Sequence, residues 1–115
     1  MADQGFPKAN RLRLRSDFER VYKCGKLIQN QHFKIFVLAN NCDTPRLGLV
    51  VGKSLGKAHV RNRIKRILRE GFRRQKQLLG DLDLVVFIKP SAAELSNQEL
   101  YEGFQKSLQE LARAR

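Results

Sequence analysis

The chain has 115 residues, 42% of them hydrophobic, and carries 23 Lys and Arg against 11 Asp and Glu, a formal net charge of +12. That length fits one domain able to bury roughly two-thirds of its unfolded surface, and the apolar content argues against disorder. No apolar run approaches bilayer length and the N-terminus, MADQGFPKANRLRLR, lacks an apolar signal core, so a cytoplasmic protein is expected. Residues 1–14 read as a flexible basic arm ahead of a domain at 15–113. Ser16 and Glu19 have the spacing of a capping box, which predicts a helix running to about Cys24, with Gly25 just past its end. Residues 32–38 alternate as a strand, with Phe33, Ile35 and Val37 on one face and His32, Lys34, Phe36 and Leu38 on the other. A turn at 40–45 leads to a second strand at 46–53, and Gly52 and Gly56 bracket the loop that follows.

A long helix is expected at about 59–77. At about 100° per residue, Val60, Ile64, Ile67, Leu68 and Phe72 fall on one arc. Arg61, Asn62, Lys65, Arg66, Arg69, Arg73 and Lys76 fall on the adjoining one. Residues 84–89 form an apolar strand dense enough to be central, ended by Pro90. Ser96 and Glu99 make another capping box before a last helix at about 97–113, with Leu100, Phe104, Leu108 and Leu111 at helical spacing. The pattern α-β-β-(β)-α-β-α implies an α+β fold: a single-domain two-layer sandwich with three helices on a mixed sheet of about four strands. The two strands flanking the central helix are candidates for parallel neighbours. Phe33, Ile35, Val37, Phe72, Phe87 and Phe104 are the expected aromatic and aliphatic core.

The charge is segregated. Residues 57–76 hold nine basic side chains and one acidic, whereas 77–115 hold four basic and six acidic. A solvated helix face usually interleaves Glu with Lys. One Glu among nine cations points instead to a polyanion, and nucleic acid is the commonest. Cys24, Cys42, His32 and His59 have no metal-like spacing, so neither a disulfide framework nor a zinc site is expected. Asp81 and Asp83 stand close together, but acids in a loop before a strand are usually solvated, and no nucleophile–base set accompanies them.

The run Arg61-Asn62-Arg63-Ile64-Lys65-Arg66 resembles the RNR signature of the bacterial ribonuclease P protein subunit. Leu47, Gly48, Leu49, Lys53, Gly56 and Ala58 precede it at that family's spacing. Arg11-Leu12 and Asp17-Phe18 match its opening, and 83–90 match its strand ending in a Lys-Pro pair, so the resemblance spans about residues 10–111. Ser54 and Lys57 depart from it, since the family often has a second basic residue and an Asn there.

The resemblance implies a protein that joins a catalytic RNA. The complex removes the single-stranded 5′ leader from precursor tRNA by magnesium-dependent hydrolysis, with the chemistry belonging to the RNA. Mg2+ would act mainly through the RNA, and no membrane or small-molecule substrate would be involved. Lys53, Arg61, Asn62, Arg63, Lys65, Arg66 and Arg69 would face the catalytic RNA. Phe18, Tyr22, Lys34, Phe36 and Lys89 would line a cleft for the leader, although Phe18, Tyr22 and Phe36 read as core without the resemblance. A general or ribosomal RNA-binding module shares the charge but predicts no preference for a leader. A self-sufficient nuclease predicts cleavage by protein alone, and a helix-based DNA binder predicts tighter binding to duplex DNA.

Overall fold

The computed structural model describes residues 10–113. The elements are α1 (Arg15–Cys24), β1 (Lys26–Gln29), β2 (Phe33–Ala39), β3 (Arg46–Val50), α2 (Ala58–Leu79), β4 (Leu82–Ile88) and α3 (Asn97–Arg113). Short 3-10 turns occupy Lys53–Leu55 and Pro90–Glu94. The α+β class and the element order are those expected, with β1 as the third strand ahead of α2. No helix among the described residues is long and apolar enough to cross a membrane.

The sheet order is β1-β2-β4-β3. β2 pairs antiparallel with β1 and β4, while β3 and β4 are parallel. A parallel pair needs a crossover, and α2 supplies it. On one face of the sheet, Phe33, Ile35, Leu84 and Val86 pack against Ile64, Leu68 and Phe72 of α2 and Leu100, Phe104 and Leu108 of α3. This is the expected sandwich of helices on sheet. Gly71 lets the two helices close on each other, because a Cβ there would stand 3.2 Å from the Phe104 ring. Ser96 and Glu99 close their capping box: Glu99 N–H donates to Ser96 Oγ at 3.1 Å, and Ser96 N–H donates to Glu99 Oε1 at 2.9 Å.

The shorter α1 lies across part of the opposite face, where Val21 and Leu12 meet Val85. It begins differently from expectation. Leu14 is the N-cap and no side chain caps the helix, so Ser16 sits inside the first turn and its box with Glu19 does not form. The Leu14 carbonyl instead accepts from Asp17 N–H (3.0 Å) and Phe18 N–H (3.2 Å), and Asp17 complements the helix dipole. Gly25 ends the helix in an extended conformation, so its role is space. A Cβ there would lie 2.5 Å from the Val21 carbonyl oxygen and 2.7 Å from that of Val37.

The expected arm at 1–14 also differs within the described residues; positions 1–9 lie outside them. Leu12 N–H donates to the Leu47 carbonyl at 3.0 Å, seating the segment beside β3. Buried Asn10 donates to Thr44 Oγ1 (2.6 Å) and the Pro45 carbonyl (2.8 Å) and accepts from Lys76 Nζ (3.2 Å). Buried amides persist where such partners exist, and these hold residues 10–12 in place.

Candidate nucleic-acid interface

The basic loop and helix are built around two local constraints. Leu55 plugs the 3-10 turn into the core, so Lys53 and Ser54 stay exposed beside it. Gly56 then takes φ 122°, a conformation that side chains rarely adopt, and redirects the chain into α2. The helix divides its cations by direction. Lys53, Asn62 and Arg66 are exposed. Arg61 Nε folds back to donate to the Gly56 carbonyl at 3.2 Å, and Arg63 donates to Asn97 Oδ1 at the start of α3. Lys65 and Arg69 turn the other way and line a hollow beside α1 and β3. Farther along, Glu70 accepts from Arg73 (3.1 and 2.6 Å) and Arg74 (2.9 Å). The hydrogen bond from Arg73, then that from Arg74, holds the Glu70 carboxyl below its ordinary range against the opposing effect of burial. The one acid of the basic segment therefore tempers its C-terminal end and leaves the stretch from Lys53 to Arg66 as the cationic end.

The face under α1 carries an aromatic cluster. Phe18 and Tyr22, one helical turn apart, have ring centroids 6.5 Å from each other. Tyr22 stands 5.3 Å from Phe36 and 5.4 Å from Phe87, and Phe36 stands 5.8 Å from Phe87. All four rings are half-buried. Burial raises the Tyr22 phenol above its ordinary value, so it stays a neutral hydroxyl. Phe18 reaches the sheet because Gly48 lies beneath it: a Cβ at that position would come within 2.6 Å of the ring. The ammonium of Lys34 stands 5.6 Å from the Phe36 centroid and 6.0 Å from that of Phe87, within cation–π range. Lys89 Nζ is held at the β1–β2 turn by the Asn30 carbonyl (2.7 Å) and Gln29 Oε1 (3.2 Å). All five residues expected in the cleft thus lie on or beside one surface.

Phe87 corrects an expectation. It belongs with Tyr22 and Phe36 on the α1 face, not with Phe33 and Phe104 in the core. The strand at 84–89 shows no apolar–polar alternation, which hides the face. The register reveals it, because Lys34 pairs with Phe87 across β2 and β4.

Asp83 is another correction: it is buried, not solvated. Its carboxylate accepts two hydrogen bonds from Arg46 (2.8 and 2.7 Å), one from Arg20 of α1 (2.9 Å) and one from Asn40 (2.9 Å). The bond to Asp83 raises the Arg46 guanidinium above its ordinary value. A buried carboxylate needs this saturation, and the arrangement ties α1 to the sheet beside the aromatic cluster. Asp83 is thereby committed to structure. Among the described residues, no group of three or more His, Cys, Asp or Glu is placed to hold a metal.

The family model for ribonuclease P matches residues 6–112. The ribonuclease P protein component of Pseudomonas putida (strain F1) is 39% identical over 118 residues, covering 100% of this chain and 87% of that protein. The solved Staphylococcus aureus RNase P protein has a TM-score of 0.82 at 32% identity, covering 92% of this chain and 97% of that one. The RNase P protein from Thermotoga maritima, solved in complex with 1-(4-fluorophenyl)-2-thiourea, has a TM-score of 0.79 at 38% identity, covering 85% and 96%.

Proposed function

The chain belongs to the ribonuclease P protein family, and from that premise we propose how it serves as the protein subunit of a tRNA-processing ribonucleoprotein. The catalytic RNA hydrolyses the phosphodiester bond, with Mg2+ acting mainly through that RNA, and the protein supplies binding. Lys53, Arg61, Asn62, Arg63 and Arg66 form the surface that docks on the catalytic RNA, neutralising phosphates and displacing their counterions. Lys65 and Arg69 stand at the border between this surface and the cleft. Phe18, Tyr22, Phe36 and Phe87 offer rings to the bases of the single-stranded leader, at about 1–3 kcal/mol per stacked base. Lys34 and Lys89 supply charge to its backbone. Stacking and charge read little base identity, so the leader contact tolerates sequence.

The observation that carries this reading is the four-ring cluster under Lys34, on a sheet face that α1 leaves half open. Core aromatics have no need of a cation above them. Binding the leader favours precursor over mature tRNA, which lacks it.

The test is 5′ cleavage of a precursor tRNA at low magnesium by the protein alone, by a bacterial ribonuclease P RNA alone, and by the two together. Efficient cleavage by the mixture alone is expected. Cleavage by the protein alone would reveal an active site of its own, and no effect of the protein would favour a general RNA-binding role. With the complex, Phe36→Ala should weaken precursor binding about tenfold and leave mature tRNA binding in place. Equal weakening of both would sink the cleft assignment.

A further inference from the structure

We infer that Asn97, the first residue of α3, is a positioning residue for the catalytic RNA: it holds the guanidinium of Arg63 ready to dock without cancelling its charge. The inference rests on the docking surface proposed above and adds to it a side chain from another element.

Two kinds of partner hold arginines on α2, and they differ in charge. Glu70 accepts from Arg73 at 2.6 Å and from Arg74 at 2.9 Å. Both cations are ordered there, and a full negative charge is set against them. Toward the other end of the helix the acceptors are neutral. Arg61 donates to the Gly56 carbonyl, and Arg63 donates to the amide oxygen of Asn97. These two arginines are ordered as well, and they keep their whole charge. A cation that must meet phosphate is better held by an uncharged acceptor, which leaves its attraction for a polyanion intact.

The start of α3 is built to offer that acceptor. Glu99, two residues from Asn97, is turned back to accept from Ser96 N–H at 2.9 Å, and its own N–H donates to Ser96 Oγ at 3.1 Å. The capping box thus occupies the carboxylate of this turn and fixes the backbone that carries Asn97. Arginine has donors only, so the amide must turn its oxygen to Arg63. Arg63 is half-buried, while Asn97 is exposed, as are Asn62 and Arg66 on α2. The pair therefore sits at the edge of the surface proposed to dock. A free arginine side chain gives up much rotamer freedom when it binds, and one already held gives up less.

The experiment measures affinity for a bacterial ribonuclease P RNA over a salt series, with precursor and mature tRNA binding by the reconstituted complex beside it. Asn97→Ala should weaken RNA binding roughly twofold to tenfold. The slope of log affinity against log salt should stay, because no charge is lost. The precursor-to-mature ratio and the urea midpoint should stay too. Asn97→Asp suits the first turn of a helix and can still hold Arg63, yet it should weaken RNA binding and flatten the salt slope by about one charge. A contact that served only the fold would tolerate Asp. In an Arg63→Gln background, Asn97→Ala should have no further effect. The inference is overturned if Asn97→Ala binds RNA as the unaltered protein does, if its loss persists in full beside Arg63→Gln, or if Asn97→Asp keeps both affinity and slope. Should Asn97→Ala lower the urea midpoint, the Asp variant decides. Arg66→Gln tests the docking surface by itself. If it weakens RNA binding while Asn97→Ala does not, the role of Asn97 alone fails; if Arg66→Gln and Arg63→Gln both leave binding unchanged, the docking surface fails and Asn97 with it.

Discussion

The two faces of the sheet are made by alternate residues of the same strands, yet they end in different states. Toward α2 and α3, Leu84 and Val86 are sealed beneath two long helices, and Phe33, Phe72 and Phe104 are buried with them. Toward α1, the intervening positions meet a helix of 10 residues that covers only part of the sheet, and Phe36 and Phe87 remain partly exposed. One face has enough helix to bury itself and provides stability. The other is left short of cover, and its partly exposed aromatics and nearby cations make up the surface proposed for the leader. Where a protein stops covering an apolar surface is therefore as informative as what it buries.

Substitutions can test this division, beginning with the largest effect. Phe104→Ala, in the sealed face with its ring 5.4 Å from Phe33, should lower stability by about 3–5 kcal/mol in urea unfolding. Phe36→Ala on the open face should cost less, about 1–2 kcal/mol, because that ring is only partly buried. Equal losses would mean that the α1 face is as closed as the other. Asp83→Ala should cost about 2–3 kcal/mol. This falls short of a fully enclosed pair because Arg20 and Arg46 keep some access to water. Hydrogen exchange should then show α1 losing protection while α2 and α3 keep theirs; uniform loss would contradict the separation. Ser96→Ala should lower stability by about 1 kcal/mol through its lost cap, whereas Ser16→Ala should stay within about 0.5 kcal/mol. The smallest effect is Glu70→Gln. The Glu70 carboxyl titrates below its unfolded value, so its contribution is present above that value and lost as pH falls through the folded one. The variant should flatten that acid limb slightly in a pH series of unfolding midpoints.

Much of the sealed face was legible in the sequence, because burial against a helix leaves a periodic trace. Ile64, Leu68 and Phe72 on α2 and Leu100, Phe104 and Leu108 on α3 recur at helical spacing, and both helices form close to their expected bounds. The capping pair at Ser96 was equally plain. The open face was harder. Phe87 lies in a run with no polar interruption, so its side depended on strand register, which only the pairing of Lys34 with Phe87 supplies. Asp83 looked like a loop acid, and what buries it is Arg46 directly opposite on the parallel strand and Arg20 from 63 residues away. The capping signal at Ser16 misplaced the helix start: the helix begins at Arg15 with Leu14 as its N-cap, so Ser16 already lies within the first turn. The basic stripe was read correctly as a stripe, but its division toward two sides depends on where α1 and β3 stand.

The docking of Asn10 and Leu12 also sets where the folding unit can be cut. A strand at the edge of a sheet presents unpaired amides and carbonyls that invite another chain. Leu12 occupies one such carbonyl on β3, and Asn10 bolts the same segment to the turn before that strand and to Lys76 of α2. A chain trimmed to the start of α1 at Arg15 would keep every named helix and strand, yet it would bare that edge and release Lys76. Trimming to Arg15 should therefore lower stability in urea unfolding, and an unchanged midpoint would show that these contacts contribute nothing.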